Sequence, residues 1–164
     1  MKQTVKAPKL YFHDCGLVAH LTRWLTAETL EAGAISGAFM ENYVVSEVHK
    51  SFLNCGMEPP LYYYRDHDGK EVDLIVEADG QLRPVEIKKT ATPHLSMVKN
   101  FKALRKSSVP LGRGAIICAD ENVGTLDSDV LVIPARLLWA RFLSKETVWS
   151  CCDRSTCIPL GGFR

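Results

Sequence analysis

Glu71-Val72-Asp73-Leu74-Ile75-Val76-Glu77-Ala78-Asp79-Gly80-Gln81-Leu82-Arg83-Pro84-Val85-Glu86-Ile87-Lys88 holds two apolar-rich runs on either side of Asp79-Gly80. Asp-Gly is a strong signal for a two-residue hairpin loop, because both loop positions must take positive φ. The pattern predicts strands over Glu71–Glu77 and Gln81–Lys88. With a two-residue loop Ala78 faces Gln81, and counting back from that pair places Asp73 opposite Glu86 and Glu71 opposite Lys88. Side chains alternate across a strand. Glu71, Asp73, Glu86 and Lys88 are therefore expected on one face, and Val72, Leu74, Val76, Val85 and Ile87 on the other. A one-residue bulge would break this register.

Two carboxylates directly opposed on a sheet repel, and partial burial raises the cost. A divalent cation between them resolves the conflict. Mg²⁺ suits such a place, with Mn²⁺ as the alternative, because it takes hard oxygen ligands and is often held by one or two protein carboxylates plus waters and a phosphate. Lys88, two residues after Glu86, lands on the same face. There it can hold an attacking water or counter charge developing on a phosphate. Glu41 adds to the set, because helical spacing places it among Val44, Val45, Val48 and Phe52. An acid inside an apolar stripe needs a partner; a metal is one, and a Lys or Arg at the stripe's edge is the other. For the hairpin, too, a solvated polar face with a Glu71–Lys88 pair is the alternative reading.

Outward from the hairpin, residues 8–13 read as a short strand or an extended lead-in. Asp14 caps a helix over Gly16–Leu25, and the Thr26–Gly33 stretch is ambiguous. Ser36 caps a long helix over Gly37–Asn54, with Gly56 as its stop. Leu61–Arg65 is a strand, with Tyr62, Tyr63 and Tyr64 read as core, and His67–Lys70 is a turn. After Pro93 comes a helix over Leu95–Lys106 with Leu95, Val98, Phe101 and Leu104 on one face and Lys99, Lys102, Arg105 and Lys106 largely elsewhere. Gly114–Ala119 and Val130–Ile133 are strands, and Pro134 starts a helix to about Leu143. The order is α–β–β–β–α–β, then β–α: a mixed sheet flanked by helices, with the basic helix as the crossover of a parallel pair.

The 164 residues are 46% hydrophobic and 24% charged, which suits one domain and excludes a disordered or fibrous chain. The net charge of +1 gives no global signature for nucleic acid or membrane. Locally the balance is uneven: residues 83–113 hold eight Lys or Arg and one acid, Glu86. Such a stretch either tracks a phosphate backbone or is a solvated face. No apolar run spans a bilayer and the first residues have no signal-peptide core, so the expected location is the cytoplasm. Cys15, Cys55 and Cys118 read as free thiols packed among apolar neighbours. Cys151, Cys152 and Cys157 lack the spacing of a zinc site. The five histidines show no ligand spacing.

Taken together, Glu41, Asp73 and Glu86-Ile87-Lys88 on this frame resemble the PD-(D/E)XK nuclease superfamily. The wording of Lys9-Leu-Tyr-Phe-His-Asp-Cys-Gly-Leu17, Gly37-Ala-Phe-Met-Glu-Asn-Tyr-Val-Val-Ser-Glu47, Tyr64-Arg-Asp-His-Asp-Gly-Lys-Glu-Val-Asp73 and Pro84-Val-Glu-Ile-Lys88 is similar to one branch of it. That branch is the uncharacterised C-terminal module of prokaryotic AAA-type ATPases. The resemblance implies an α/β, restriction-endonuclease-like mixed central sheet (an α–β–β–β–α–β core) flanked by helices. It divides the chain into an N-terminal extension (residues 1–36) packing on the core, a nuclease-like core (37–143) and a C-terminal tail (144–164). It implies that Asp73, Glu86 and Glu41 bind Mg²⁺ and act catalytically with Lys88 in hydrolysing a phosphodiester. Lys89, Lys99, Lys102, Arg105 and Lys106 would then hold the phosphates of DNA. The resemblance also implies an ATPase module as a partner, in cis or in trans; the chain itself has no Gly-x4-Gly-Lys-[Ser/Thr] loop, so it is expected to be a fragment of a longer protein or a standalone remnant. The competing expectation is a non-catalytic regulatory or partner-docking module with a nuclease-like fold.

Overall fold

The structure, a computed structural model, describes residues 8–138. The predicted tail, its cysteine cluster and the last residues of the predicted Pro134–Leu143 helix lie outside that range. The chain opens with an irregular stretch and three helices, α1 (Cys15–Leu21), α2 (Ala27–Ala32) and α3 (Ser36–Asn54). Six strands follow: β1 (Leu61–Arg65), β2 (Glu71–Ala78), β3 (Gln81–Lys88), β4 (Gly114–Cys118), β5 (Gly124–Asp127) and β6 (Val130–Pro134). A 3₁₀ helix over Leu95–Lys106 joins β3 to β4, and a short one covers Ala135–Leu137.

The strands form one mixed sheet in the order β1-β2-β3-β4-β6-β5. β3–β4 and β4–β6 are parallel, and the other pairs are antiparallel. The Asp-Gly signal is met: Asp79 (φ 54°) and Gly80 (φ 69°) both take the left-handed region, and Ala78 pairs with Gln81. β4 is buried along its whole length, as its unbroken apolar run requires of a central strand covered on both faces. Its residues alternate between two cores. Ala115 and Ile117 pack with Val44, Val48 and Phe52 of α3, whereas Ile116 and Cys118 pack with Val98, Phe101 and Leu104 of the 3₁₀ helix.

Several expectations are corrected. Of the two readings of residues 8–13, the extended lead-in holds and the strand does not; the backbone of Phe12 is satisfied on both sides by the Asn42 amide, at 2.7 and 2.9 Å. α1 ends at Leu21, with the Asp14 carboxylate accepting from the Leu17 N–H as expected of an N-cap. Ser36 does not cap α3; its hydroxyl accepts from Lys89 Nζ across the fold. β5 has no signal in the sequence, because its four residues, Gly-Thr-Leu-Asp, are mostly exposed and carry no apolar alternation. Tyr62 is exposed rather than core. Cys15 and Cys118 are free thiols, but Cys55 is disulfide-bonded.

The predicted helix over Leu95–Lys106 is a 3₁₀ helix, which has three residues per turn. Leu95, Val98, Phe101 and Leu104 recur at strict intervals of three, so all four fall on one line. In an α-helix the same residues would wind about 60° round the axis at each step. Phe101 from this line lies over Gly114, where an added methyl would stand 2.7 Å from the ring. We expect Gly114→Ala to cost about 1–3 kcal/mol by overpacking. Urea denaturation checks this, and Phe101→Leu in the same chain should recover part of the loss.

Candidate functional site

The β2–β3 ladder runs from Ala78↔Gln81 up to Leu74↔Val85 and stops there. One residue further on, the Asp73 side chain takes the place of a ladder partner: its Oδ2 accepts the backbone N–H of Ile87 at 2.9 Å. The cause lies on the other edge of β2. Tyr62 pairs with Ile75 and Tyr64 with Val72, so β2 carries one more residue than β1 across this span. Such a bulge re-aims a side chain and breaks the alternation. Val72 and Ile75 accordingly share the core beneath the 3₁₀ helix, while Leu74 and Val76 share the one beneath α3. The expected common face for Val72 and Leu74 is therefore corrected.

Lys88 closes the arrangement. Its Nζ lies 2.6 Å from Glu86 Oε1 and 3.4 Å from Asp73 Oδ2. Both carboxylate residues are buried, Asp73 at 8% and Glu86 at 4% exposure, and Glu86 Oε2 is buried with no hydrogen-bond partner. The expected Glu71–Lys88 pair does not form. Glu71 pairs with Lys9 at 2.6 Å, and the same ammonium lies 2.6 Å from Glu41 Oε1. Tyr11 donates to Glu41 Oε1 at 2.7 Å. Asn100 on the 3₁₀ helix donates to the Glu71 carbonyl at 3.0 Å. The acid in the α3 apolar stripe is thus met by a lysine and a tyrosine.

Lys9 and Tyr11 had no assigned role in the sequence reading. They alternate in an extended segment, which the Asn42 clamp on Phe12 and the packing of Tyr11 on the α3-side core set against Glu41.

Burial and the neighbouring Asp73 push the Glu86 carboxyl up to about 7, against the counter-pull of Lys88. Burial also raises Asp73, opposed by the Ile87 N–H and Lys88. For Lys88, burial pulls down, but the Glu86 hydrogen bond and the Asp73 charge outweigh it and hold the ammonium above its usual range. Lys9 is likewise held up, with Glu41 and Glu71 overcoming its burial.

Among the described residues, no three His, Cys, Asp or Glu side chains stand together as a ligand set for a metal. Two carboxylates do converge, and the unpartnered buried oxygen of Glu86 is a free ligand atom beside them. That donor set fits Mg²⁺, which commonly takes one or two protein carboxylates and completes its shell with waters and a phosphate. Asp73 and Glu86 would hold it. Glu41, also expected to be a ligand, is joined to this pair through the field it exerts on Asp73.

The five cations expected to hold phosphates fall into three groups. Lys89 bonds the Glu31 carbonyl and Ser36 Oγ, tying β3 to the ends of α2 and α3. Lys99, Lys102 and Arg105 share one line of the 3₁₀ helix, and Lys106 lies on another.

Residues 36–138 match the family described as Domain of unknown function (DUF4143). The chain belongs to the DUF4143 family. It is 33% identical over 137 residues to uncharacterized protein Mb2031c of Mycobacterium bovis and, equally, to uncharacterized protein Rv2008c of Mycobacterium tuberculosis. Each alignment covers 82% of this chain and 29% of the relative. This DUF4143 chain therefore spans less than a third of the length of those relatives. Among its described residues, no helix is long and apolar enough to cross a membrane.

A carboxyl whose folded-state pKa is raised binds its proton more tightly folded than unfolded. Its contribution is therefore favourable at low pH and is lost as pH rises from the ordinary 4.5 through about 7. Relative to Glu86→Gln, the parent should lose on the order of 2 kcal/mol between pH 5 and pH 8. Urea denaturation of both proteins at three pH values measures the difference. Parallel profiles would show that Glu86 is already ionised at pH 5.

Proposed function

We propose that this DUF4143 chain is a metal-dependent, nuclease-like domain that hydrolyses phosphodiester bonds in DNA, within a longer protein that includes or engages an ATPase module. One observation carries the reading. A bulge in β2 and the end of the β2–β3 ladder bring two buried carboxylates and a lysine together, with one carboxylate oxygen left unpartnered. Burying two acids side by side costs stability, and groups perturbed in this way concentrate at functional sites. The order of the core elements, α3-β1-β2-β3, the 3₁₀ crossover and β4, supports a restriction-endonuclease-like assignment of the mixed sheet.

In this reading Asp73 and Glu86 hold Mg²⁺ or Mn²⁺. A divalent cation there would polarise the phosphodiester and favour an ionised attacking water. Lys88 places its ammonium beside both carboxylates, where it neutralises developing negative charge and orients the nucleophile. Glu41 acts one step back: with Tyr11, Lys9 and Glu71 it sets the local charge that Asp73 experiences. ATP binding and the choice of DNA site belong to the longer protein.

A specific observation favours a second reading. Lys88 already lies against both Asp73 and Glu86, and Lys9 against both Glu41 and Glu71, so each of the four acids has a cationic partner without a metal. A protein docking module with a nuclease-like fold would look the same.

The two readings part in one set of measurements. Supercoiled, linear and single-stranded DNA would be incubated with Mg²⁺, Mn²⁺ or EDTA. The nuclease reading expects metal-dependent cleavage that falls at least 100-fold in both Asp73→Ala and Lys88→Ala. It also expects Mg²⁺ to raise the melting temperature of the parent and not of Asp73→Ala. Equal cleavage by parent and mutants, or no cleavage and no thermal shift, overturns it in favour of the docking module.

A further inference from the structure

The basic side chains of the crossover converge somewhere other than the carboxylate–lysine site. Three residues per turn divide the 3₁₀ helix into three lines. Val98, Phe101 and Leu104 are buried and form the line against the sheet. Met97, Asn100 and Ala103 are half-buried and share the second line with exposed Lys106. The third line is Ser96, Lys99, Lys102 and Arg105, all exposed. At a rise of about 2 Å per residue, its charges repeat roughly every 6 Å along a straight row. An α-helix would have spread the same residues round the surface.

This row forms one wall of a cavity of about 710 Å³. Arg113 stands on the cavity just before β4, and Phe101, Pro84 and Leu111 line its apolar part. Asp127 and Asp129, at the β5–β6 turn, also line it, so the four cations outnumber the acids by two. Asp127 is already engaged with the backbone N–H of Asp129. Among the described residues, the side chains of Lys99, Lys102, Arg105 and Arg113 make no hydrogen bond or ion pair.

The cavity lies at the start of β4 and β6, at Gly114 and Val130. On the neighbouring β3, Glu86 pairs with Ile116 and Lys88 with Cys118, about 7 and 13 Å along the strand from Gly114. Between the two ends the buried core of Val98, Phe101 and Ile116 fills the layer. The two sites are therefore separate.

We propose that Lys99, Lys102 and Arg105, together with Arg113, form a binding site for a run of phosphate groups, distinct from the carboxylate–lysine site. Regular spacing in a row matches a ligand whose negative charges are themselves strung in a line. The two acids on the cavity exclude such a ligand from their own side and direct its charge to the basic wall. The ligand is either the backbone of a nucleic-acid strand or a free oligophosphate; both present the same chemistry to the row. The site stands whether or not the chain cleaves DNA, because it uses none of the residues assigned to cleavage.

The test is equilibrium binding in EDTA, which removes any metal contribution. A labelled single-stranded oligonucleotide is followed by anisotropy and inorganic tripolyphosphate by calorimetry, for the parent and two variants of unchanged circular dichroism. Lys102→Gln with Arg105→Gln should weaken binding at least tenfold at low salt. It should also reduce the slope of log affinity against log salt by about one to two. Lys106→Gln removes a like charge from another line of the same helix and should change affinity less than twofold. Preference for the oligonucleotide assigns the row to a strand backbone, and preference for tripolyphosphate to a free oligophosphate. Absence of binding to both, or an equal loss per charge removed in Lys106→Gln, overturns the proposal.

Discussion

The geometry of the site depends on how two carboxylates are kept inside the protein. Asp73 and Glu86 are buried, and a buried carboxylate without a partner is among the most unfavourable groups a fold can hold. Three devices meet that cost: the Lys88 ammonium beside both acids, the Ile87 N–H donated to Asp73, and the retained proton that a pKa near 7 on Glu86 implies. Each device arises from strand geometry. Lys88 reaches both acids because the β2–β3 ladder ends at Leu74↔Val85. The Ile87 N–H is free for a side chain for the same reason. The bulge in β2 turns Asp73 toward this opening, and the β3–β4 parallel pairing carries Glu86 and Lys88 past it.

Around this centre the charges are arranged in two linked shells. Lys9 sits between Glu41 and Glu71, so the acids nearest the buried pair share one cationic partner. Glu41 still acts on Asp73, and Glu71 on Glu86, through space. The segment that brings Lys9 and Tyr11 into place has no regular structure of its own. Its backbone is clamped by the amide of Asn42, which satisfies both polar groups of Phe12, and Tyr11 packs on the α3-side core. A helix, a loop and a hairpin distant in the chain thereby tune one pair of acids. Membership of the DUF4143 family, over residues 36–138, covers the hairpin and α3 but not this leading segment.

The crossover shows how backbone geometry distributes charge. A 3₁₀ helix this long is uncommon, since its hydrogen bonds are poorer than those of an α-helix. Here it is stabilised by a line of apolar side chains packed into the sheet, with Phe101 seated against Gly114. The same repeat of three that buries Val98, Phe101 and Leu104 aligns Lys99, Lys102 and Arg105 on the neighbouring line. Burial on one line and charge on the next are two consequences of one helical period.

Much of this was legible in the residues. Asp79-Gly80 determined the hairpin, because Asp and Gly accept the positive φ at both positions that a two-residue loop of this twist takes. The apolar run Gly114–Cys118 determined a central strand, because a run without polar positions has no face to offer to water. Glu41, Asp73, Glu86 and Lys88 stood out as charges placed where apolar neighbours predominate. Even the 3₁₀ helix was written in the interval of three between Leu95, Val98, Phe101 and Leu104, although an amphipathic pattern of that length is ordinarily read as α. What the tertiary structure alone decided was partnership. The β2 bulge, the end of the ladder, the exchange of Lys88 for Lys9 as the partner of Glu71, and the separation of the basic row from the acids all depend on contacts between segments far apart in the chain. Local pattern determines which residues share a face; the meeting of faces is set by packing, and an extra residue in one strand is enough to change which charges meet.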